Sequence, residues 1–256
     1  MTASHEHIRL YIDAPLGAGA PLSLAREQAH YLRNVMRREV GDTLGLFNGR
    51  DGEWRAVIET IGKQGCTVAP LEQIRPQTGT PDLWLICALI KRARLEMVAE
   101  KAAELGVREI HPVITEFTHS PPMKAERLAA ITIEAAEQCG LLSIPALCAP
   151  EKLQTILGRW PSERKILFCD ESGAGHTALA ALQATEPGPW AVLIGPEGGF
   201  SPAERARLLS MPQTLAISLG PRILRADTAA IAALTLWQSV RGDWQASPVA
   251  LADQSV

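Results

Sequence analysis

Apolar and polar residues follow two different rhythms along this chain. Up to about residue 75, apolar positions nearly alternate, as in "GDTLGLFNGRDGEWRAVIETIG" (41–62), around Asn48-Gly49 and Asp51-Gly52. That pattern predicts short strands joined by tight turns, a β-meander or small barrel. One stretch breaks it. In "SLAREQAHYLRNVMRREVGD" (23–42), Leu32, Val35 and Met36 recur at helical spacing, Ser23 stands where a cap belongs, and Arg33, Arg37 and Arg38 share a helical neighbourhood. "IRPQTGTPD" (74–82) is rich in Pro, Gly and Thr and reads as a linker.

Beyond it the period changes. "DLWLICALI" (82–90) is a continuous apolar run, as expected of a strand buried on both faces. "RARLEMVAEKAAELG" (92–106) puts Leu95, Val98, Ala102 and Leu105 on one helical face and ends in Gly106. Strands "EIHPVIT", "KILFCD", "WAVLIG" and "TLAISLG" then alternate with helices "KAERLAAITIEAAEQCG", "HTALAALQAT", one from Ser201, and "DTAAIAALTLWQSV". Such alternation predicts an α/β unit: a parallel sheet with helices on both faces.

Composition narrows the function classes. A length of 256 residues suits one large and one small unit. The net charge of −3 argues against wholesale coating of nucleic acid, and residues 1–76 carry nine basic against nine acidic side chains. Arg33, Arg37 and Arg38 therefore form a local patch on a neutral module: a solvated helix face or a phosphate contact. The five cysteines are scattered and contain no C-x-x-C pair, which fits a reducing, cytoplasmic setting and gives no sign of a metal. His5 and His7 lack a partner cluster and read as a solvated strand start. His111, before a proline, reads as a strand end, and His176 as a helix start. Tyr31, beside His30, is placed to stack on a base. No 18-residue apolar run or signal peptide is present.

The candidate chemistry sits in two loops. "LIGPEGGFSPAE" (193–204) leaves a predicted strand at its carboxyl end, where open parallel sheets bind ligands. Its glycines allow close backbone approach around Glu197. Ser201 to Glu204 spell a capping box with proline at the first helical position. No Gly-Lys-Ser/Thr or G-x-G-x-x-G accompanies the loop, which excludes the common phosphate-loop and dinucleotide signatures. "LGPRILRADTA" (219–229) also joins a strand to a helix and carries Arg222, Arg225 and Asp227. Neighbouring strand ends bearing these groups would make a catalytic cleft.

Together these loops resemble the RsmE family of the SPOUT superfamily, S-adenosylmethionine-dependent methyltransferases acting on N3 of a specific uridine in 16S ribosomal RNA. The resemblance extends through "KRARLEMVAEKAAELGVREIHPVIT", "EAAEQCG" and "HYLRNVMRREVGDTLGLFNG", nearly the whole chain. It implies a PUA-like RNA-binding β-barrel over 1–75 and a parallel-sheet SPOUT methyltransferase domain over 80–245. It further implies a C-terminal trefoil knot, a known exception to the rule against knots, and a homodimer acting on the small ribosomal subunit. S-adenosylmethionine would be held at Ile194, Gly195, Gly199, Leu219, Leu224 and Ala229. Arg222 would join Arg33, Arg37 and Arg38 in touching RNA. Departures are Phe117-Thr118 and Leu141-Leu142, where many relatives carry basic residues, and Asp227, where many carry glutamate.

The implied chemistry has simple demands. N3 of uracil is a weak acid and attacks poorly until it loses its proton. Glu197 and Asp227 are the candidate bases, and Arg225 or Arg222 would stabilise charge developing on the uracil oxygens. Each acid also has a structural reading. Glu197 could accept loop N–H bonds, and Asp227 could cap the last helix. No metal is needed for the transfer. An inactive knotted ribosome-assembly factor and a methyltransferase of another RNA base remain the alternatives.

Overall fold

In the computed structural model, described for residues 8–119, 123–171 and 175–244, the chain forms two compact units. His5 and His7 lie outside the described residues. The first unit comprises residues up to Gly79 together with Ala136–Ile144. Its elements are β1 (Arg9–Tyr11), β2 (Leu22–Ser23), α1 (Arg26–His30), β3 (Thr43–Phe47), β4 (Glu53–Gly62) and β5 (Gly65–Arg75). The five strands form one sheet in the order β1-β3-β4-β5-β2. Its core collects Leu10, Leu32, Leu44, Leu46, Ile58 and Val68, the apolar members of the near-alternating pattern. Asn48 closes the β3–β4 turn: its Oδ1 accepts from the N–H groups of Arg50 (2.9 Å) and Asp51 (2.8 Å).

The expected helix over 23–42 is shorter and of a different kind. Ser23 belongs to β2, and the cap is Ala25. After α1 the chain widens into a single π turn, Tyr31–Val35. The wider turn changes the angular spacing, so Leu32 is fully buried while Val35 is 60% exposed. The helical run ends at Met36. Arg37 takes a left-handed φ of 52°, and Arg38 reaches Asp42 at 3.9 Å. Arg37 and Arg38 thus lie beyond the helix rather than along its face. Tyr31 is half-buried against the core, so its ring is only partly available for stacking.

Glu53, 2% exposed, is bonded by Arg9 (2.9 Å) and Arg75 (3.0 Å). Arg9 also donates to the carbonyls of Ala136 and Leu141, and Arg75 to that of Gly140. Two guanidinium groups thus satisfy carbonyls left open at a helix C-terminus, where positive charge is favoured. Leu142 packs with Phe47 and Ala136, which accounts for an apolar residue at that position.

The second unit contains β6 (Leu83–Ala88), α2 (Arg92–Glu104), β7 (Glu109–Ile114), most of α3 (Ala125–Gln138), β8 (Ala146–Leu147) and β9 (Glu151–Lys152). It continues with α4 (Leu153–Gly158), β10 (Lys165–Cys169), β11 (His176–Thr177), α5 (Ala178–Gln183) and β12 (Trp190–Ile194). It closes with α6 (Pro202–Leu209), β13 (Thr214–Ser218) and α7 (Ala226–Arg241). All pairings are parallel, in the order β11-β13-β10-β12-β6-β7-β8, with β9 on β7. Successive residues of β6 serve opposite faces. Leu85 and Cys87 join one apolar layer with Val98, Ala230 and Trp237, whereas Ile86 and Ala88 join the other with Ile156, Phe168 and Leu208. This burial on both faces is the reason the strands read as unbroken apolar runs.

Gly106, at φ 69°, ends α2 in a Schellman turn, with Val107 N–H donating to Ala102 O at 3.0 Å. The expectations missed α4 and the two-residue strands, which are too short to show a period. His176 lies in β11, one residue farther from the helix than expected, and His111 sits inside β7 rather than at its end.

Candidate active site

Three βα loops of the second unit enclose a cavity of about 210 Å³. A second cavity, beside Ile90 and Leu128, measures about 20 Å³, room for a single water. The larger one lies where carboxyl ends of parallel strands leave space for a ligand. Its walls come from Cys169–Glu171 at the end of β10, Ile194–Glu197 and Gly199 at the end of β12, and Ser218–Gly220, Arg222–Ala226 and Ala229 from the end of β13 onward.

Local forces shape the β12 loop. Gly199, at φ 71°, closes a tight turn in which its N–H donates to Pro196 O at 3.0 Å. A Cβ there would collide with Glu171 Oε1, and one on Gly195 would lie 2.7 Å from the Phe200 ring. Phe200 is anchored edge-on against Phe168, ring centroids 5.3 Å apart. The capping box reads directly from the coordinates: Ser201 Oγ accepts from Glu204 N–H (3.2 Å), and Glu204 Oε2 accepts from Ser201 N–H (3.0 Å). Glu204, nearly buried, also accepts from Glu116 N–H at 2.9 Å. It therefore staples the segment after β7 to the start of α6.

The sheet order corrects one expectation. β12 and β13 are not neighbours, because β10 runs between them. The "KILFCDE" strand end consequently enters the cavity, bringing Cys169, Asp170 and Glu171, which the reading of the sequence left out. Its signal was present: two acids at the carboxyl end of a parallel strand. Asp170 is 4% exposed and takes a forked contact from Arg205, the shortest at 2.7 Å. Glu171 accepts from Phe200 N–H at 3.3 Å, linking the β10 and β12 loops. Burial pushes the Cys169 thiol up to about 12, so it stays protonated and is no nucleophile at neutral pH.

The cavity brings together Ile194, Gly195, Gly199, Leu219, Leu224 and Ala229, with Glu197, Arg222 and Arg225. Asp227 does not line it. Arg225 is the N-cap of α7, so Asp227 stands one residue inside the helix, where its Oδ1 accepts from Thr228 N–H at 2.9 Å. Glu197 is exposed rather than enclosed by its glycines, and no hydrogen bond to it is present among the described residues. Its charge nevertheless reaches inward: after burial, it is the second cause holding the Cys87 thiol up at about 12. Arg33, Arg37 and Arg38 belong to the first unit.

The RNA methyltransferase domain family matches residues 78–238, and the RNA methyltransferase PUA domain family matches residues 24–71. The chain is 34% identical to the ribosomal RNA small subunit methyltransferase E of Rickettsia conorii, over 88% of this chain and 93% of that one. Among solved structures, a methyltransferase of Legionella pneumophila with bound SAM superposes with a TM-score of 0.83 at 35% identity, over 93% of this chain and 99% of that one. A ribosomal RNA small subunit methyltransferase E of Neisseria gonorrhoeae, bound to S-adenosylmethionine, gives 0.81 at 27% identity, over 93% and 100%. A family match spanning more than half the chain, and a relative this similar over nearly its full length, both fall on the segments that build the cavity: the chain belongs to the ribosomal RNA small subunit methyltransferase E family.

Proposed function

We propose that this protein transfers a methyl group from S-adenosylmethionine to N3 of a specific uridine in 16S ribosomal RNA, in the cytoplasm. The observation that supports this most directly is the make-up of the cavity. Glycine backbone and small or apolar side chains line one part of it, while Glu197, Arg222 and Arg225 stand at its open part. Gly195 and Gly199 have no space for a Cβ, which would meet Phe200 and Glu171, and their bare backbone is suited to border the cofactor. Ile194, Gly195, Gly199, Leu219, Leu224 and Ala229 would hold it. When bound, S-adenosylmethionine supplies an electrophilic methyl on a sulfonium.

The protein's own residues handle the proton and the charge. Glu197 is the better base by geometry: it lines the cavity with its carboxylate free of hydrogen bonds among the described residues. Asp227 spends one oxygen on Thr228 N–H and does not line the cavity. Arg225 and Arg222 are exposed at the same cavity and are suited to stabilise negative charge on the uracil oxygens. This reading carries the family's homodimer and trefoil knot with it. Ile223, 88% exposed at the cavity rim, is the kind of side chain a second copy would cover. The test is to delete the gene and map N3-methyluridine in ribosomal RNA, with rescue by the wild-type gene. A modification unchanged by deletion would rule the assignment out. Calorimetry showing no S-adenosylmethionine binding would favour an inactive assembly factor.

For RNA, we propose that the first unit contributes Arg33 and Arg37, both exposed, more than Arg38, whose side chain is 16% exposed and reaches Asp42. The Arg33→Ala/Arg37→Ala protein should bind RNA more weakly. Its slope of log affinity against log salt should be shallower by up to about one unit per lost phosphate contact. S-adenosylmethionine affinity should not move. An unaltered slope would return these arginines to a merely solvated role.

A further inference from the structure

We propose that Glu109, His111 and Cys148 form a binding site for zinc or a similar borderline-soft divalent cation, separate from the active-site cavity. Glu109 and His111 are two apart on β7 and so project from the same face. β8 pairs beside them, and Cys148 N–H donates to Ile110 O at 2.9 Å, which brings the thiol alongside. His111 Nε2 lies 2.9 Å from Glu109 Oε2 and 3.7 Å from Cys148 Sγ, and the three donor atoms all fall within 4.8 Å of one another.

The convergence is what singles this cluster out. In a thiol–imidazole–carboxylate relay, the acid and the nucleophile use opposite ring nitrogens. Here both face Nε2, and one proton on that nitrogen serves only one of them. A cation at the common point serves all three. Tetrahedral zinc, with bonds of about 2.0–2.3 Å, sets its ligands about 3.3–3.6 Å apart, so the two spacings from His111 need only small adjustments, and the Glu109 carboxylate and Cys148 thiol, within 4.8 Å, would draw together. A thiolate and a carboxylate neutralise the double charge, which suits a place where His111 is buried and the other two are half-buried.

The surroundings hold the imidazole in place. Trp84 lies against the His111 ring at 4.5 Å, and the Arg164 guanidinium covers Trp84 at 3.6 Å. Glu151, the nearby acid, is engaged by Arg159 at 2.6 Å, which leaves the fourth position to water. The site lies toward the amino ends of the parallel strands, whereas the cavity lies at their carboxyl ends. It would clamp the two-residue β8 onto β7. The ligand spacing matches no paired-cysteine motif, which is why the sequence suggested no metal.

The test uses full-length protein freed of metal by a chelator and titrated with cobalt(II) chloride, then zinc chloride. The expected result is one cobalt per chain, with a thiolate-to-cobalt charge-transfer band and tetrahedral d–d bands, both displaced by zinc. Cys148→Ser should abolish the charge-transfer band and weaken zinc by more than the ~10–100-fold that loss of an outer-sphere partner costs. Cys139→Ser, which removes an exposed thiol, should change neither. No band in the wild-type protein, or a band that survives Cys148→Ser or disappears in Cys139→Ser, overturns the site. Should Cys148→Ser fail to fold, Glu109→Gln decides: zinc should bind more weakly with the band retained, and unchanged affinity overturns the site. S-adenosylmethionine calorimetry reports whether each variant is folded.

Discussion

Glu197→Gln protein is expected to bind S-adenosylmethionine normally and to turn over roughly 10²–10⁴-fold more slowly, the usual contribution of a general base. Glutamine keeps the size and polarity of the side chain but cannot take the N3 proton. Glu197 lines the cavity with its carboxylate exposed, so the substitution should leave packing intact. Raising the pH should restore part of the rate, because the uridine then loses its proton unaided. Asp227→Asn is the necessary companion. The asparagine would still offer an oxygen to Thr228 N–H, the one bond to that carboxylate among the described residues, so its activity should stay near wild type. If instead Asp227→Asn alone shows a pH-rescued defect, the proton belongs to Asp227. If both variants remain near wild type, neither acid is the base, and the arginines must favour the uridine anion by themselves.

The second large effect should follow from one glycine. Gly199→Val is expected to weaken S-adenosylmethionine binding at least ~100-fold, from two causes that add. A left-handed φ costs a non-glycine residue about 1–2 kcal/mol, and more when it is β-branched. The new side chain also meets Glu171 Oε1, and the loop must shift to release it. Glu171 holds Phe200 N–H, so that shift would disturb both walls of the cavity. Calorimetry of Gly199→Ala, with and without Glu171→Ala, separates the two causes. The double variant should recover the part due to the collision and keep the part due to φ. Wild-type affinity in Gly199→Val would remove this loop from the cofactor site. Circular dichroism should show a folded protein throughout, because the buried strand β12 ends before the loop begins.

Much of the architecture could be read without coordinates, because it rests on short-range physics. Burial on both faces forces continuous apolar runs, so β6, β10 and β12 announced themselves. The Gly106 stop and the Ser201–Glu204 box are local hydrogen-bond patterns that four or five residues specify by themselves. Two of the three loops that line the cavity were legible for the same reason: glycines and charged residues stand out at a strand end. What stayed hidden depends on which distant segments meet. Nothing in "KILFC" says that its strand will run between β12 and β13, yet that order brings Cys169, Asp170 and Glu171 into the cavity. The π turn at Tyr31–Val35 swings Val35 out and leaves Arg37 beyond the helix, a register set by burying Leu32 rather than by any periodicity. The meeting of Glu109 and His111 with Cys148 likewise depends on β8 pairing with β7. Local sequence fixes dihedral preferences and hydrogen bonds a few residues apart. Strand order and the meeting of remote side chains are settled only when the whole chain buries its apolar surface at once.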